Sequence, residues 1–204
     1  MPTPTRWWLV RHAPVINPDN SIYGQIDLDC DVADDKVFSS VARLLPKKAL
    51  WLQSPLARTR KTAAALKAAG AQGPEPVDEK RLMEQHFGDW QGGNRQEIRD
   101  RHPEAYRRFW LAPADERAPN GESFVDVVGR VGAALDEWSE KQPGGDVVAV
   151  MHGGSIRAAL SHALSLAPAR ALSFHVETVS VTRVDLYPDG QSAVVFVNAT
   201  PWRF

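Results

Sequence analysis

The chain has 204 residues, 43% of them hydrophobic and 24% charged, with a formal net charge of −1. That is the composition of an ordinary globular chain, long enough to bury a core, and too neutral overall for the field that drives non-specific nucleic-acid binding. Cys30 is the sole cysteine, which excludes an intramolecular disulfide and a cysteine-based zinc site. In chain order, the continuous apolar run Trp7–Val10 reads as a strand buried on both faces. Residues 1–10 lack the basic and long apolar regions of a signal peptide, and no run approaches the ~18 residues of a membrane helix. A cytoplasmic protein without membrane contact is expected.

A helix capped by Asp34 or Asp35 follows, with Val37, Phe38, Val41, Leu44 and Leu45 on one face and Pro46 as its stop. Ala49–Leu52 is a second buried strand. Arg58–Ala69 is an alanine-rich helix closed by Gly70, and Val77–Leu82 reads as another strand. Residues 85–120, rich in arginine and aromatic side chains, fit a helical insertion, or cap, over the active edge of a sheet. After Asn120-Gly121 a long helix aligns Phe124, Val128, Val131, Leu135 and Trp138, ending near Pro143-Gly144. Asp146–Met151 is a third apolar strand, and Ser155–Leu166 a helix. Thr178–Tyr187 and Ser192–Val197 flank the turn residues Pro188-Asp189-Gly190, as in a hairpin. Strands alternating with helices predict one α/β domain over residues 1–204. Its three layers comprise a mostly parallel sheet, helices on both faces, an antiparallel edge strand and the helical insertion over the active site. The hairpin offers an edge through which a homodimer could form.

Three predicted strands end in chemistry. Arg11-His12 follows the first, Ser54 the second with Arg58 one helical turn on, and His152-Gly153-Gly154 the third. In open α/β sheets ligands bind beyond the carboxyl ends of the strands. Two histidines and two arginines on that rim, with a glycine-led helix start, suit a phosphate. Neutral imidazole is a competent nucleophile, positive groups stabilise a transferring phosphoryl group, and a carboxylic acid is needed for the leaving oxygen. Glu84, in Arg81–Gly92, is the best-placed candidate against its neighbours Asp78, Glu79 and Asp89.

Four blocks together, LVRH, SPLARTRKTA, the E-x-x-F-G-x-W-x-G of Glu84–Gly92 and HGGSIR, resemble the histidine phosphatase superfamily, the phosphoglycerate-mutase-like fold. They stand in that family's order over residues 9–157. The resemblance implies that His12 becomes the phosphohistidine and Glu84 the proton donor. Arg11, Arg58 and His152 would complete the catalytic set around the phosphate, with Gly153, Asn17, Tyr23 and Gly24 as further substrate contacts. Where the family commonly has Arg-His-Gly and an acidic or amide residue, this chain has Ala13-Pro14-Val15, and Asn17 is offset by one position. The RHAPV form with Tyr23-Gly24 is similar to short bacterial phosphatases, including the α-ribazole phosphatase branch. Asn120–Ser123 matches a family feature at a helix start.

The resemblance implies a phosphoric monoester hydrolase of the histidine acid phosphatase type, without metal or cofactor. Its partner would be a small phosphorylated metabolite, with α-ribazole 5'-phosphate and sugar phosphates as candidates. The alternatives are a phosphoglycerate mutase, which the short chain and the missing acidic residue after His12 disfavour, and a non-catalytic phosphate-binding module. A serine hydrolase through Ser155 is excluded by Arg157, where a nucleophile elbow needs glycine. His86, His102, His162 and His175 lack metal-ligand spacing. Arg60 and Lys61 read as surface ion-pairing residues, Arg95, Arg99, Arg101, Arg107 and Arg108 as a solvated helix face, and Trp90, Phe109 and Trp110 as core.

Overall fold

The computed structural model describes residues 3–17, 19–112 and 114–203. A six-stranded sheet has the order β3 (Val77–Asp78), β2 (Leu50–Gln53), β4 (Asp146–Met151), β1 (Thr5–Arg11), β5 (Val181–Leu186), β6 (Ser192–Ala199). The first four strands are parallel; β5 and β6 form an antiparallel edge. Both faces of the central strands are apolar, so each face demands a layer of helices. Trp7, Leu9, Val147, Ala149 and Met151 face α5 (Phe124–Lys141), α6 (Gly153–Ala163) and α7 (Pro168–Ala171). Trp8, Val10, Trp51, Val148 and Val150 face α1 (Asp35–Leu44) and α2 (Ala57–Ala68). This is the expected three-layer α/β architecture, and no helix among the described residues is long and apolar enough to cross a membrane.

The caps expected at Asp34 and Gly70 form. Asp34 caps α1 through the Val37 N–H, and Gly70 takes φ +103° after α2. Ser123 opens α5 with a reciprocal box: its hydroxyl accepts from the Asp126 N–H at 3.2 Å while Asp126 accepts from the Ser123 N–H at 2.8 Å.

Three expected elements differ. The strand placed at 77–82 is only Val77–Asp78, followed by a 3₁₀ turn over Lys80–Leu82. Glu79 causes the exit: its carboxylate accepts from the Arg81 backbone and guanidinium and from Trp138 Nε1, pulling the chain off the sheet edge. The strand placed from Thr178 begins at Val181, because Val179 turns the chain at φ +61°, a strained conformation for a β-branched residue. Helix α6 begins at Gly153 rather than Ser155, since Ser155 Oγ accepts from the His152 N–H at 3.0 Å and fixes the turn earlier.

Residues 85–120 are helical in two short pieces, α3 (Arg95–Arg101) and α4 (Pro103–Leu111), with a 3₁₀ turn at Gly88–Trp90. They pack on a small apolar cluster of their own: Ile22, Trp90, Ile98, Phe109 and Ala118. Ser123 supports this junction, so Ser123→Ala should cost about 1 kcal/mol and lower Tm by roughly 2–4 °C. Thermal unfolding by circular dichroism checks this, and an unchanged Tm would show that the box carries no stability.

Candidate active site

The neighbouring strands β1, β4 and β2 end together. The His12 N–H donates to the Met151 carbonyl at 2.9 Å and the Ser54 N–H to the Val150 carbonyl at 3.0 Å. His12, His152 and Ser54 therefore share one rim, and the two imidazoles lie 5.1 Å apart between ring centroids.

Arg58 is fully buried at 0% exposure, on the first turn of α2. Its Nη2 donates to the Gly24 carbonyl at 2.6 Å, Nη1 to the Ile26 carbonyl at 2.9 Å, and Nε to His152 Nδ1 at 3.2 Å. With Nδ1 accepting, His152 carries its proton on Nε2, which donates to Ser54 Oγ at 2.9 Å. Burial drives the His152 pKa far down, and the positive charges of Arg58, Arg130 and Arg11 add to this. His12 Nδ1 donates to the Ala13 carbonyl at 2.7 Å, leaving the Nε2 electron pair free for attack. Desolvation first, then Arg58, lowers its pKa to about 3, so it is neutral at ordinary pH.

Arg11 is clasped by the turn at Val179. Its Nη1 donates to the Val176 carbonyl at 2.6 Å, and its own carbonyl accepts from the Val179 N–H at 3.0 Å. Its Nε is buried without a partner among the described residues, a donor of the kind that an incoming oxyanion satisfies.

Glu84 sits on an irregular stretch and is fixed by others. Arg130 Nη2 and Gln25 Nε2 donate to its carbonyl at 2.9 and 2.8 Å. Arg130 also holds the Arg81 and Met83 carbonyls and forms a two-pronged pair with Glu122. Glu122 in turn accepts from the His86 N–H at 2.8 Å. The Glu84 carboxylate accepts from the Gly154 N–H at 3.2 Å, so it takes one of the helix-start donors expected for phosphate. A Cβ on Gly154 would lie 2.1 Å from Glu84 Oε1, so glycine there is what admits the carboxylate. The competing carboxylates are spent elsewhere: Asp78 on Arg60, Glu79 on Arg81, Asp89 on Asn120.

The structure thus brings His12, Arg11, Arg58, His152 and Glu84 together. Gly153 packs beneath the Arg11 guanidinium, and Gly24 holds Arg58 at φ +42°, where a Cβ would strike Gln91 Oε1 at 2.4 Å. The Tyr23 ring stacks on Arg58 at 5.1 Å. Asn17 is not brought in by its side chain, whose amide closes a turn on the Ser21 N–H, hydroxyl and carbonyl. Among the described residues no group of three or more His, Cys, Asp or Glu side chains is gathered to hold a metal ion.

A cleft of about 220 Å³ opens beside Glu84 and Gly154, lined by Tyr23, Phe87, Phe109, Trp110, Leu172, Arg95 and Arg157 among others. Arg157, read in the sequence only as the residue that rules out a nucleophile elbow, was given no place in the site, although its i,i+4 spacing from Gly153 puts both on one helix face. Arg95, expected on a solvated helix face, lines this cleft instead. Trp110, expected in the core, is 41% exposed and lines it too; Trp90 and Phe109 are buried as expected. Arg60 and Lys61 make the expected surface ion pairs, with Asp78 and Asp29.

The chain matches the family model described as Histidine phosphatase superfamily (branch 1) over residues 7–199. A protein of Mycobacterium tuberculosis named as bifunctional is 32% identical over 97% of this chain, which spans only 55% of that relative's length. Phosphoserine phosphatase 1 of Hydrogenobacter thermophilus is 29% identical, covering 94% of this chain and 91% of the relative. The crystal structure of the α-ribazole phosphatase from Shigella flexneri superposes with a TM-score of 0.84 at 22% identity, covering 96% of this chain and 97% of that one, a likeness of fold.

The buried neutral histidines make stability depend on pH. An unfolded chain protonates them near pH 6.5, whereas folded His12 stays neutral to about pH 3. Across that window the unfolded state binds the extra proton, so stability falls as pH is lowered, by up to about 1.4 kcal/mol per pH unit for each histidine. Thermal unfolding between about pH 7 and about pH 5 should show Tm falling on acidification, less steeply in His12→Asn. Equal slopes in the two proteins would contradict the neutral assignment of His12.

Proposed function

The chain belongs to the histidine phosphatase superfamily, and we propose that it is a phosphomonoesterase that works through a phosphohistidine at His12. The observation that carries this reading is the His12 side chain itself. It is buried and neutral, has its proton tied to the Ala13 carbonyl, and stands among two arginines and a second histidine. Relatives named as phosphatases, and the grouping of Glu84 and Arg58 with the three residues at the strand ends, support the same reading.

In the proposed reaction the phosphate oxygens meet Arg11, including its unpartnered Nε, and Arg58, which His152 holds in place. The two guanidiniums neutralise the transferring phosphoryl group without a metal ion. His12 Nε2 attacks phosphorus as the ester P–O bond breaks. Glu84, held at the cleft by Gly154 and Arg130, gives its proton to the departing alkoxide. The alcohol leaves through the cleft roofed by the α3–α4 segment, which serves as a cap. Glu84, now ionised, takes a proton from water; the resulting hydroxide attacks the phosphohistidine, releasing inorganic phosphate and free His12. Phosphate monoesters of small metabolites are the substrate class, with phosphoserine, α-ribazole 5'-phosphate and sugar phosphates as the first panel.

Steady-state hydrolysis of an alkyl and a dinitrophenyl phosphate tests the assignment. His12→Ala should lose about 10⁴-fold or more in kcat/KM on both. Glu84→Gln should lose about 10²–10⁴-fold on the alkyl ester and little on the dinitrophenyl ester, whose leaving group needs no proton. Full activity in His12→Ala would overturn the reading, and transfer of phosphate between hydroxyls instead of to water would make the chain a mutase.

A further inference from the structure

We propose that the alcohol half of the substrate is an apolar or aromatic body bearing a negative charge, the charge held by Arg157 and the body by the Phe109–Trp110 wall. This inference rests on the phosphatase reading and deepens it by naming the leaving group's chemistry.

The cleft lies where a leaving group must go, since Glu84 and Gly154 form its inner end. Its wall is mainly apolar, and Phe109 and Trp110 meet edge to face at 5.1 Å between ring centroids. A small polar alcohol would leave this surface wet, whereas an aromatic or aliphatic body would cover it.

Arg157 is half-buried in the same cleft, and burial lowers its pKa, against the favourable pull of Glu84. Its Nε donates to the Phe174 carbonyl at 2.7 Å, its only hydrogen bond among the described residues. That bond fixes the plane of the guanidinium and leaves the Nη1 and Nη2 donors uncommitted. The carboxylate whose charge it feels is Glu84, which must carry a proton when it acts as the acid. At that moment a half-buried cation lacks a protein counter-charge, and a substrate anion supplies one. Arg95 repeats the sign in the same cleft, its guanidinium 5.7 Å from the Trp110 ring centre. It stands at the first position of α3, where the helix dipole disfavours a cation and no acidic partner pairs with it among the described residues. Two cations and an aromatic wall therefore line one cleft. Uncharged sugar phosphates should accordingly be poor substrates.

The test compares two aryl phosphates of similar leaving-group acidity, para-ethylphenyl phosphate and para-(carboxymethyl)phenyl phosphate, in wild type, Arg157→Gln and Arg157→Lys. Any effect of Arg157 on Glu84 acts on both esters alike, so the ratio of their kcat/KM values isolates recognition of the charge. In wild type the carboxylate ester should be favoured by roughly tenfold or more. The ratio should fall toward one in Arg157→Gln and be partly kept in Arg157→Lys. Trp110→Ala should weaken both aryl esters relative to phosphoglycolate, which carries the charge without the body. A wild-type ratio near one, or one unchanged in Arg157→Gln, overturns this inference while leaving the phosphatase reading intact. No turnover of either aryl ester while phosphoglycolate is hydrolysed overturns this inference alone, and no turnover of any of the three by wild type overturns the phosphatase reading with it.

Discussion

The buried guanidinium of Arg58 is the interaction on which the rest of the site depends. A cation at 0% exposure is tolerable only if it is well partnered, and here two backbone carbonyls and one imidazole meet one donor on each of its nitrogens. The acceptors come from two distant parts of the chain. Gly24 and Ile26 bring in the loop after β1, and His152 brings in the end of β4. The same contact fixes the His152 tautomer, and its charge helps to keep His12 neutral. Removing that one side chain would leave two carbonyls and a histidine nitrogen unpaired in the interior, so its cost would exceed that of a lost ion pair.

Glu84 poses the opposite problem. The histidines and arginines stand on strand ends and helix starts, which position them through regular hydrogen-bond ladders. Glu84 has no such support, and its place is set by Arg130, Glu122 and Gln25 acting on the backbone and by a glycine that leaves room at the start of α6. In the proposed reaction the nucleophile is therefore held by the fold, and the acid by a side-chain clasp. That division explains why α5 begins where it does. The Ser123 box fixes the first turn of the helix that carries Arg130, directly after Glu122.

Much of this was legible in the sequence for definite physical reasons. The runs Trp7–Val10 and Asp146–Met151 admit only strands apolar on both faces, and the residues after such strands lie on the ligand-binding rim by topology. Asp34 and Gly70 marked helix ends through their own capping chemistry. What escaped was set by contacts distant in sequence. The clasp from Arg130 to Glu84 spans 46 residues, and nothing local to either announces it. Val179 adopts a conformation that no propensity favours, because holding Arg11 outweighs its strain. Asn17 had the right chemistry for a phosphate loop, but Ser21 competes for its amide at shorter range. Arg95 and Trp110 looked like a solvated face and a core residue because their helices pack over a cleft rather than on the main core.

The central claim is that phosphate passes through His12, and trapping the intermediate tests it most directly. Wild-type enzyme mixed with a rapidly reacting aryl phosphate should be quenched in base, where phosphohistidine survives, digested and analysed by mass spectrometry. One phosphoryl group is expected on the peptide containing His12, formed within the first turnover and absent from His12→Asn. Turnover accompanied by an unmodified His12 peptide, or by phosphate on another residue, would contradict the account.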